Sequence, residues 1–336
     1  MSNPLTTAPT SVSFTSADRV ALTMQALDLL SPEDRDLVVW FASEVRRNAW
    51  SHGEAGKRIG IDGSNIGRIF NGNYAGNWQN VLEKIRTFRH LQAEREKMTR
   101  AEFVETSVWE RVRQTCDMAL INQMPAILIG VSQIGKTHAL KEYMRRSHHL
   151  VRYVRIPAGG TLRDTLFAIA DACGVGAGVN ALRVRARILS ALNSRTLLII
   201  DELHQLTLAK PMTAVKVMEF IREILDETGC GLVVCGTRAL QQELLQGQMA
   251  AWLDQFEQRC ITRTVLDDRL SDRDIGKVAE AYGVAEKPAA EVLKVLRTLR
   301  MNRLVKLLML AGTLARKQEM PTTWDHFMAA YTAVNR

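Results

Sequence analysis

The sequence predicts an α/β core with a parallel sheet, preceded by an all-α domain and followed by a small helical one. Three observations carry this expectation. Between Ala101 and Val265, short apolar runs of strand length alternate with helical stretches of roughly a dozen residues or more, the rhythm of buried parallel strands and crossover helices. One of these runs leads directly into a glycine-punctuated segment that opens a helix, and another ends in two adjacent carboxylates. The chain on either side shows helical spacing alone.

Met1 to Ala17 holds Ser, Thr, Pro and Ala without a charge and reads as a flexible tail. A helical domain is expected over 18–100. Within it Ser31 supplies an N-cap, Pro32 a first-turn proline and Glu33 and Asp34 early acids, for a helix running through Leu37, Val38, Phe41 and Val45. The segment at about 52–71 has the layout of a helix-turn-helix: Glu54 to Ile59, then Gly60-Ile61-Asp62, then Gly63 to Phe70. Ala55 and Ile59 form the apolar side of the first helix, Gly60 permits the turn, Ile61 packs beneath it, and Asp62 or Ser64 caps the second helix.

Ile66, Ile69 and Phe70 would then face the core, leaving Ser64, Asn65 and Arg68 outward to meet phosphates or base edges in a major groove. Lys57 and Arg58, with Arg46 and Arg47 nearby, add positive charge. From Val45 to Arg100 there are 11 basic and 5 acidic residues, an excess of +6. A helical hairpin with no nucleic-acid role is the alternative. A packing helix from Trp78 to about Arg100, with Val81, Leu82, Ile85, Phe88 and Leu91 on one face, completes the domain.

The core, 101–265, is expected to hold strands at Ala126 to Ile129, Val151 to Ile156, Thr196 to Ile200 and Gly231 to Cys235. After the first comes Gly130-Val131-Ser132-Gln133-Ile134-Gly135-Lys136-Thr137, which fits G-x-x-x-x-G-K-[ST], followed by a helix from His138 to Arg146. Backbone N–H groups of such a loop wrap phosphates, with the positive end of the helix behind them. Lys136 would reach the β- and γ-phosphates of ATP, and the Thr137 hydroxyl would hold Mg²⁺. The third run, Leu197 to Ile200, delivers Asp201 to the metal and Glu202 to the attacking water.

Thr237, at the tip of the fourth strand, either senses the γ-phosphate or caps the next helix. Arg259 and Arg263 suit a finger that completes a neighbouring subunit's nucleotide site, or else an ordinary solvated basic face. From Leu266 to the end, 266–336, the pattern is helical, with Asp272 to Tyr282, Ala289 to Thr298 and Asn302 to Lys317 as elements.

Composition limits the function classes. The 336 residues leave room for two or three domains, and 44 Lys+Arg against 36 Asp+Glu give a net +8, compatible with a polyanion partner. Aromatics at 6% argue against a base-stacking platform. The five cysteines form no C-x-x-C pair and sit in apolar segments, as reduced core thiols do. There is no secretory h-region after Arg19 and no apolar run of membrane length, so a soluble cytoplasmic protein is expected.

With helix-turn-helix, loop and acidic strand in this order, the chain resembles the Mu B family of DNA-binding AAA+ transposition ATPases, related to IstB and TnsC-type regulators. The likeness runs from about Gly53 to about Thr313. It includes Phe70-Asn71 and Tyr74, Phe103-Val104-Glu105-Thr106, the loop, Ile199-Ile200-Asp201-Glu202, Gly231-Leu232-Val233, and Arg259 with Arg263.

The resemblance implies an AAA+ ATPase core with a helical lid that assembles as a filament on double-stranded DNA, largely without sequence preference. It implies delivery of that DNA to a transposase, stimulation of strand transfer, and hydrolysis-driven release that yields target immunity. It also implies that Arg300 is the lid arginine that touches nucleotide, that His138 belongs to the nucleotide site, and that Arg183 and Arg185 line a DNA path. Thr237 stands where the family more often has Asn, and His204 replaces an acid. The stretch Leu206 to Ala214, with Pro211, is longer than the family's, and the chain before Val45 has no counterpart in it. The same core in a DnaC-like helicase loader, or in a nucleotide-responsive transcription regulator, is the alternative.

Overall fold

The computed structural model describes residues 31–97, 101–176, 178, 180–209, 211–246 and 250–335. The expected tail and residues 18–30 of the expected helical domain lie outside these residues. The chain divides into two compact units, Met1–Met98 and Thr99–Arg336.

The first unit is all helical: α1 Pro32–Arg47, α2 His52–Ile59, α3 Gly63–Phe70 and α4 Trp78–Lys97. Ser31 caps α1 by accepting from the Asp34 amide at 3.2 Å. Ser51 and Glu54 form a reciprocal capping box on α2, so the helix opens at His52, two residues before the expected start. Gly60 ends α2 at φ +70°, a left-handed turn that a Cβ would strain. Asp62 caps α3.

Gly56 looks like a poor helix former by propensity, but a Cβ there would lie 2.3 Å from the Ile61 carbonyl oxygen. The residue is glycine because the turn folds back onto the helix at that point. Phe41, Ile66, Ile69, Ile85 and Phe88 close the core between the four helices. Leu91, expected on the packed face of α4, is 46% exposed, since the apolar stripe ends one turn earlier, at Phe88.

The second unit is built on five parallel strands in the order β2-β3-β4-β1-β5. They are β1 Pro125–Ile129, β2 Leu150–Arg155, β3 Thr196–Asp201, β4 Gly231–Gly236 and β5 Thr262–Val265. The helices are α5 Ser107–Asn122, α6 Lys136–Arg146, α7 Leu162–Cys173, α8 Ala181–Ala191, α9 Pro211–Thr228, α10 Arg238–Gln246 and α11 Ala250–Glu257. After the sheet come α12 Asp272–Ala281, α13 Ala290–Leu296, α14 Met301–Lys317 and α15 Trp324–Val334.

Alternate residues of each central strand enter two different cores. Leu128, Ile199 and Val233 pack with α5, α6 and the C-terminal helices, while Ile127, Ile200 and Val234 pack with α7, α8 and α9. Burial on both faces is why these strands read as unbroken apolar runs rather than as alternation. β5 is different. It lies at the sheet edge, is four residues long and carries Arg263, so no apolar run marks it in the sequence.

The C-terminal helices are fixed to the core by Asp274, 2% exposed, which accepts from the Ser107 amide (2.8 Å) and hydroxyl (2.6 Å) at the start of α5. All five cysteines are free, and four of them are buried. No helix among the described residues is long and apolar enough to cross a membrane.

Candidate nucleotide site and candidate DNA-contacting residues

At the end of β1 the chain leaves the sheet through Gly130 and re-enters regular structure at Lys136, so Lys136 and Thr137 occupy the first turn of α6 rather than preceding it. The loop depends on two left-handed residues, Gln133 at φ +66° and Gly135 at φ +110°, and on Ile134, whose fully buried side chain anchors it. The Lys136 ammonium, itself buried, donates to the carbonyls of Gly130 (2.7 Å) and Val131 (2.9 Å). A Cβ on Gly130 would sit 3.3 Å from the Lys136 Cδ, so the glycine leaves room for the folded lysine stem. Both lysine partners are neutral oxygens, which solvate the charge without cancelling it. A buried cation in that state at a helix N-terminus favours an anion beside it.

The start of α14 closes on the same loop. Arg300 donates to the Ser132 carbonyl at 3.1 Å and the Asn302 amide to the Gln133 carbonyl at 3.2 Å. Loop and helix border a cavity of about 770 Å³, also lined by Phe103, His138, Glu202 and Thr237. Thr237 accepts from the Ala239 amide at 3.3 Å, so it caps α10 while facing the cavity.

Asp201 ends β3 and is 1% exposed. Its Oδ2 accepts from the Thr137 hydroxyl (2.7 Å) and the Tyr153 hydroxyl (2.8 Å), and its Oδ1 from the Glu202 amide (2.8 Å). Glu202 itself turns out of the strand at φ +60°. Its carboxylate rests between Arg155 (3.8 Å) and His204 Nε2 (3.2 Å). Burial pushes His204 below its ordinary value, against the opposing pull of the Glu202 charge. Hydroxyl and carboxylate oxygens meeting at Thr137 and Asp201 are the hard donors that suit Mg²⁺.

Two residues here had no motif to announce them. Tyr153 and Arg155 stand two apart on β2, on one face, and reach Asp201 at the end of β3 and Glu202 just beyond it. No local signal marked them, since Arg152 between Val151 and Tyr153 breaks any simple alternation along the strand.

The remaining candidates lie elsewhere. Arg259, in the turn after α11, pairs with Asp226 at 3.0 Å, and Arg263 on β5 pairs with Glu257 at 2.6 Å. Neither is among the described residues lining the cavity. On α8, Arg183 is exposed, whereas Arg185 is bound to Glu223 and lies over the Phe220 ring.

In the first unit, Ser64 is bonded to Asp62 through both its amide (2.9 Å) and its hydroxyl (2.5 Å), so it serves the α3 cap. Asn65 is half-buried, and Arg68 and Lys57 are exposed. Arg58 stacks 4.0 Å from the centre of the Trp50 ring.

Fold, loop and acid pair are those of a P-loop core of the AAA type, and residues 121–244 match the AAA domain family. Over a longer stretch the chain is similar to the transposition proteins B of Mu-like phages. It is 24% identical over 247 residues to the Mu-like prophage FluMu DNA transposition protein B of Haemophilus influenzae, covering 72% of this chain and 83% of that one. It is 23% identical over 243 residues to the ATP-dependent target DNA activator B of Escherichia phage Mu, covering 70% and 74%. The protein of the same name from Escherichia phage D108 matches to the same extent. A mutant of Thermotoga maritima RuvB, of solved structure, aligns over 69% of the chain at 17% identity with a TM-score of 0.46.

Proposed function

We propose that this protein is an ATP-dependent, DNA-binding transposition protein. It assembles as a filament on target DNA, delivers that DNA to a transposase and stimulates strand transfer, and ATP hydrolysis releases it and produces target immunity. The observation that carries the nucleotide half of this reading is the buried, charge-unbalanced Lys136 at the start of α6, with the Thr137–Asp201 pair beside it. The transposition half rests on the similarity to proteins named as DNA transposition protein B and target DNA activator B.

Lys136 would exchange its carbonyl partners for the β- and γ-phosphate oxygens of ATP, with the amides of Gly130 to Thr137 and His138 around them. Thr137 and Asp201 would hold Mg²⁺, which supplies charge neutralisation across the phosphates. Glu202 takes the proton of the attacking water as that water adds to the γ-phosphorus and ADP leaves. To do so, Glu202 must turn from Arg155 and His204 toward the cavity that it already lines. Arg300, already bound to the loop, reports nucleotide occupancy to the C-terminal helices, and Thr237 faces the γ-phosphate from β4. Arg259, 43% exposed and off the sheet, is better presented to a neighbouring subunit than Arg263, which is 27% exposed and held on β5.

DNA stimulates hydrolysis through contacts from the helix-turn-helix, where Asn65, Arg68, Lys57 and Arg58 remain available once Ser64 is committed to its cap. Arg183 is the corresponding contact from α8. Glu202→Gln keeps the shape of the base but removes its basicity, so ATP-bound protein should persist on DNA. Electron microscopy should show filaments on duplex DNA with ATP that outlast those of the wild type. Filaments that disassemble at the wild-type rate would refute hydrolysis-driven release.

A further inference from the structure

Tyr153 belongs to no nucleotide-binding motif, yet its hydroxyl makes one of the three hydrogen bonds that fix the Asp201 carboxylate. Asp201 Oδ2 is shared between Thr137 at 2.7 Å and Tyr153 at 2.8 Å, while Oδ1 is held by the Glu202 amide at 2.8 Å. The two side-chain donors are not equivalent. A Thr137 hydroxyl that turns a lone pair toward a metal ion changes its relation to Asp201, whereas Tyr153 stands on the neighbouring strand and need not move.

That strand is well fixed. β2 pairs with β3 in register from Leu150↔Thr196 to Arg155↔Asp201, which places Tyr153 opposite Ile199, two residues before the acid its hydroxyl reaches. The Lys141 ammonium lies 5.5 Å from the centre of the Tyr153 ring.

We propose that Tyr153 is a positioning residue for the metal half of the nucleotide site: its hydroxyl holds Asp201 in the orientation that binds Mg²⁺ once Thr137 turns to the ion. This rests on the reading that Thr137 and Asp201 hold the metal. Outer hydrogen bonds of this kind orient a ligating group and set its basicity, and their loss typically costs about 10–100-fold in metal affinity.

The test is Tyr153→Phe, which keeps the ring and removes only the hydroxyl. Binding of a fluorescent ATP analogue to the full chain is titrated with Mg²⁺, and the binding measured in EDTA serves as the reference. The Mg²⁺ midpoint should rise about tenfold, while affinity in EDTA stays at the wild-type value, which also shows that the variant is folded.

Asp201→Asn is run in parallel. If it shifts the Mg²⁺ midpoint and Tyr153→Phe does not, the role given to Tyr153 is wrong and the metal site stands. If Asp201→Asn leaves the midpoint unchanged, the metal site itself is misassigned. Equal losses with and without Mg²⁺ in Tyr153→Phe would show a general packing role and overturn the proposal.

Discussion

Glu202 occupies a left-handed backbone conformation that costs a residue with a Cβ roughly 1–2 kcal/mol. The surroundings maintain it: its own amide is tied to Asp201, its carbonyl accepts from Gln205 at 2.8 Å, and its carboxylate lies between Arg155 and His204. Strain kept at the one residue proposed as the base is the pattern in which function opposes stability. Glu202→Gly should therefore raise the denaturant midpoint, corresponding to a gain in unfolding free energy of up to about 1 kcal/mol after the added chain entropy of glycine, while phosphate release falls to background. A lower midpoint would mean that the side-chain contacts outweigh the strain.

The sequence reveals this site unevenly, and the division is physical. Gly130 to Thr137 and Asp201-Glu202 are contiguous, so their chemistry is visible as spelling. Tyr153 and Arg155 acquire their partners only through the β2–β3 register, which no local pattern encodes. Ser64 looked free to read DNA, but its geometry shows it spent on capping.

At the level of elements, α6 carries the loop's lysine and threonine, and its C-terminal turn is secured by one buried acid. Glu142 accepts from Arg145 (2.5 and 2.8 Å) and from Arg146 (2.6 Å), and Arg146 continues to Glu105 and over the Phe103 and Trp109 rings. The hydrogen bonds from Arg145 hold the Glu142 carboxyl down at about 2, with those from Arg146 adding to them and burial opposing.

A carboxyl lower in the folded state than in the unfolded chain, where it is about 4.3, contributes stability that is complete above the unfolded value. That stability is lost as pH falls toward about 2. Urea midpoints measured from pH 5 down to 2 should fall less steeply in Glu142→Gln than in the wild type, with the two curves converging at the acid end. Parallel curves would deny Glu142 this role. The basic end of α6 was legible in the sequence, whereas its tie to Glu105 was not, because the partner is 41 residues away. β5 escaped notice for a related reason: an edge strand is defined by what it pairs with, and Thr262–Val265 has no apolar run of its own.

At the scale of the whole molecule, a net charge of +8 is small for the DNA-holding role proposed above. One charge of that excess, Lys136, is engaged on the loop, while Arg185 and Arg263 are paired with Glu223 and Glu257 and leave the excess unchanged. Under that proposal, affinity comes from many subunits along one duplex, each adding a few phosphate contacts, and assembly is part of the proposed mechanism. In a head-to-tail assembly, each nucleotide site faces a different surface of the next subunit. In the proposed assembly Arg259 serves that surface, since it lies in an exposed turn and pairs with the exposed Asp226. This arrangement predicts complementation.

Arg259→Ala alone and Glu202→Gln alone should each lose DNA-stimulated phosphate release. In a one-to-one mixture, roughly a quarter of the interfaces join an intact site from one variant to an intact Arg259 from the other. Phosphate release on DNA should therefore reappear on mixing and grow with protein concentration as assembly proceeds. If Arg259 served its own subunit's site, no mixing ratio would restore turnover, and the same assay would show a flat line.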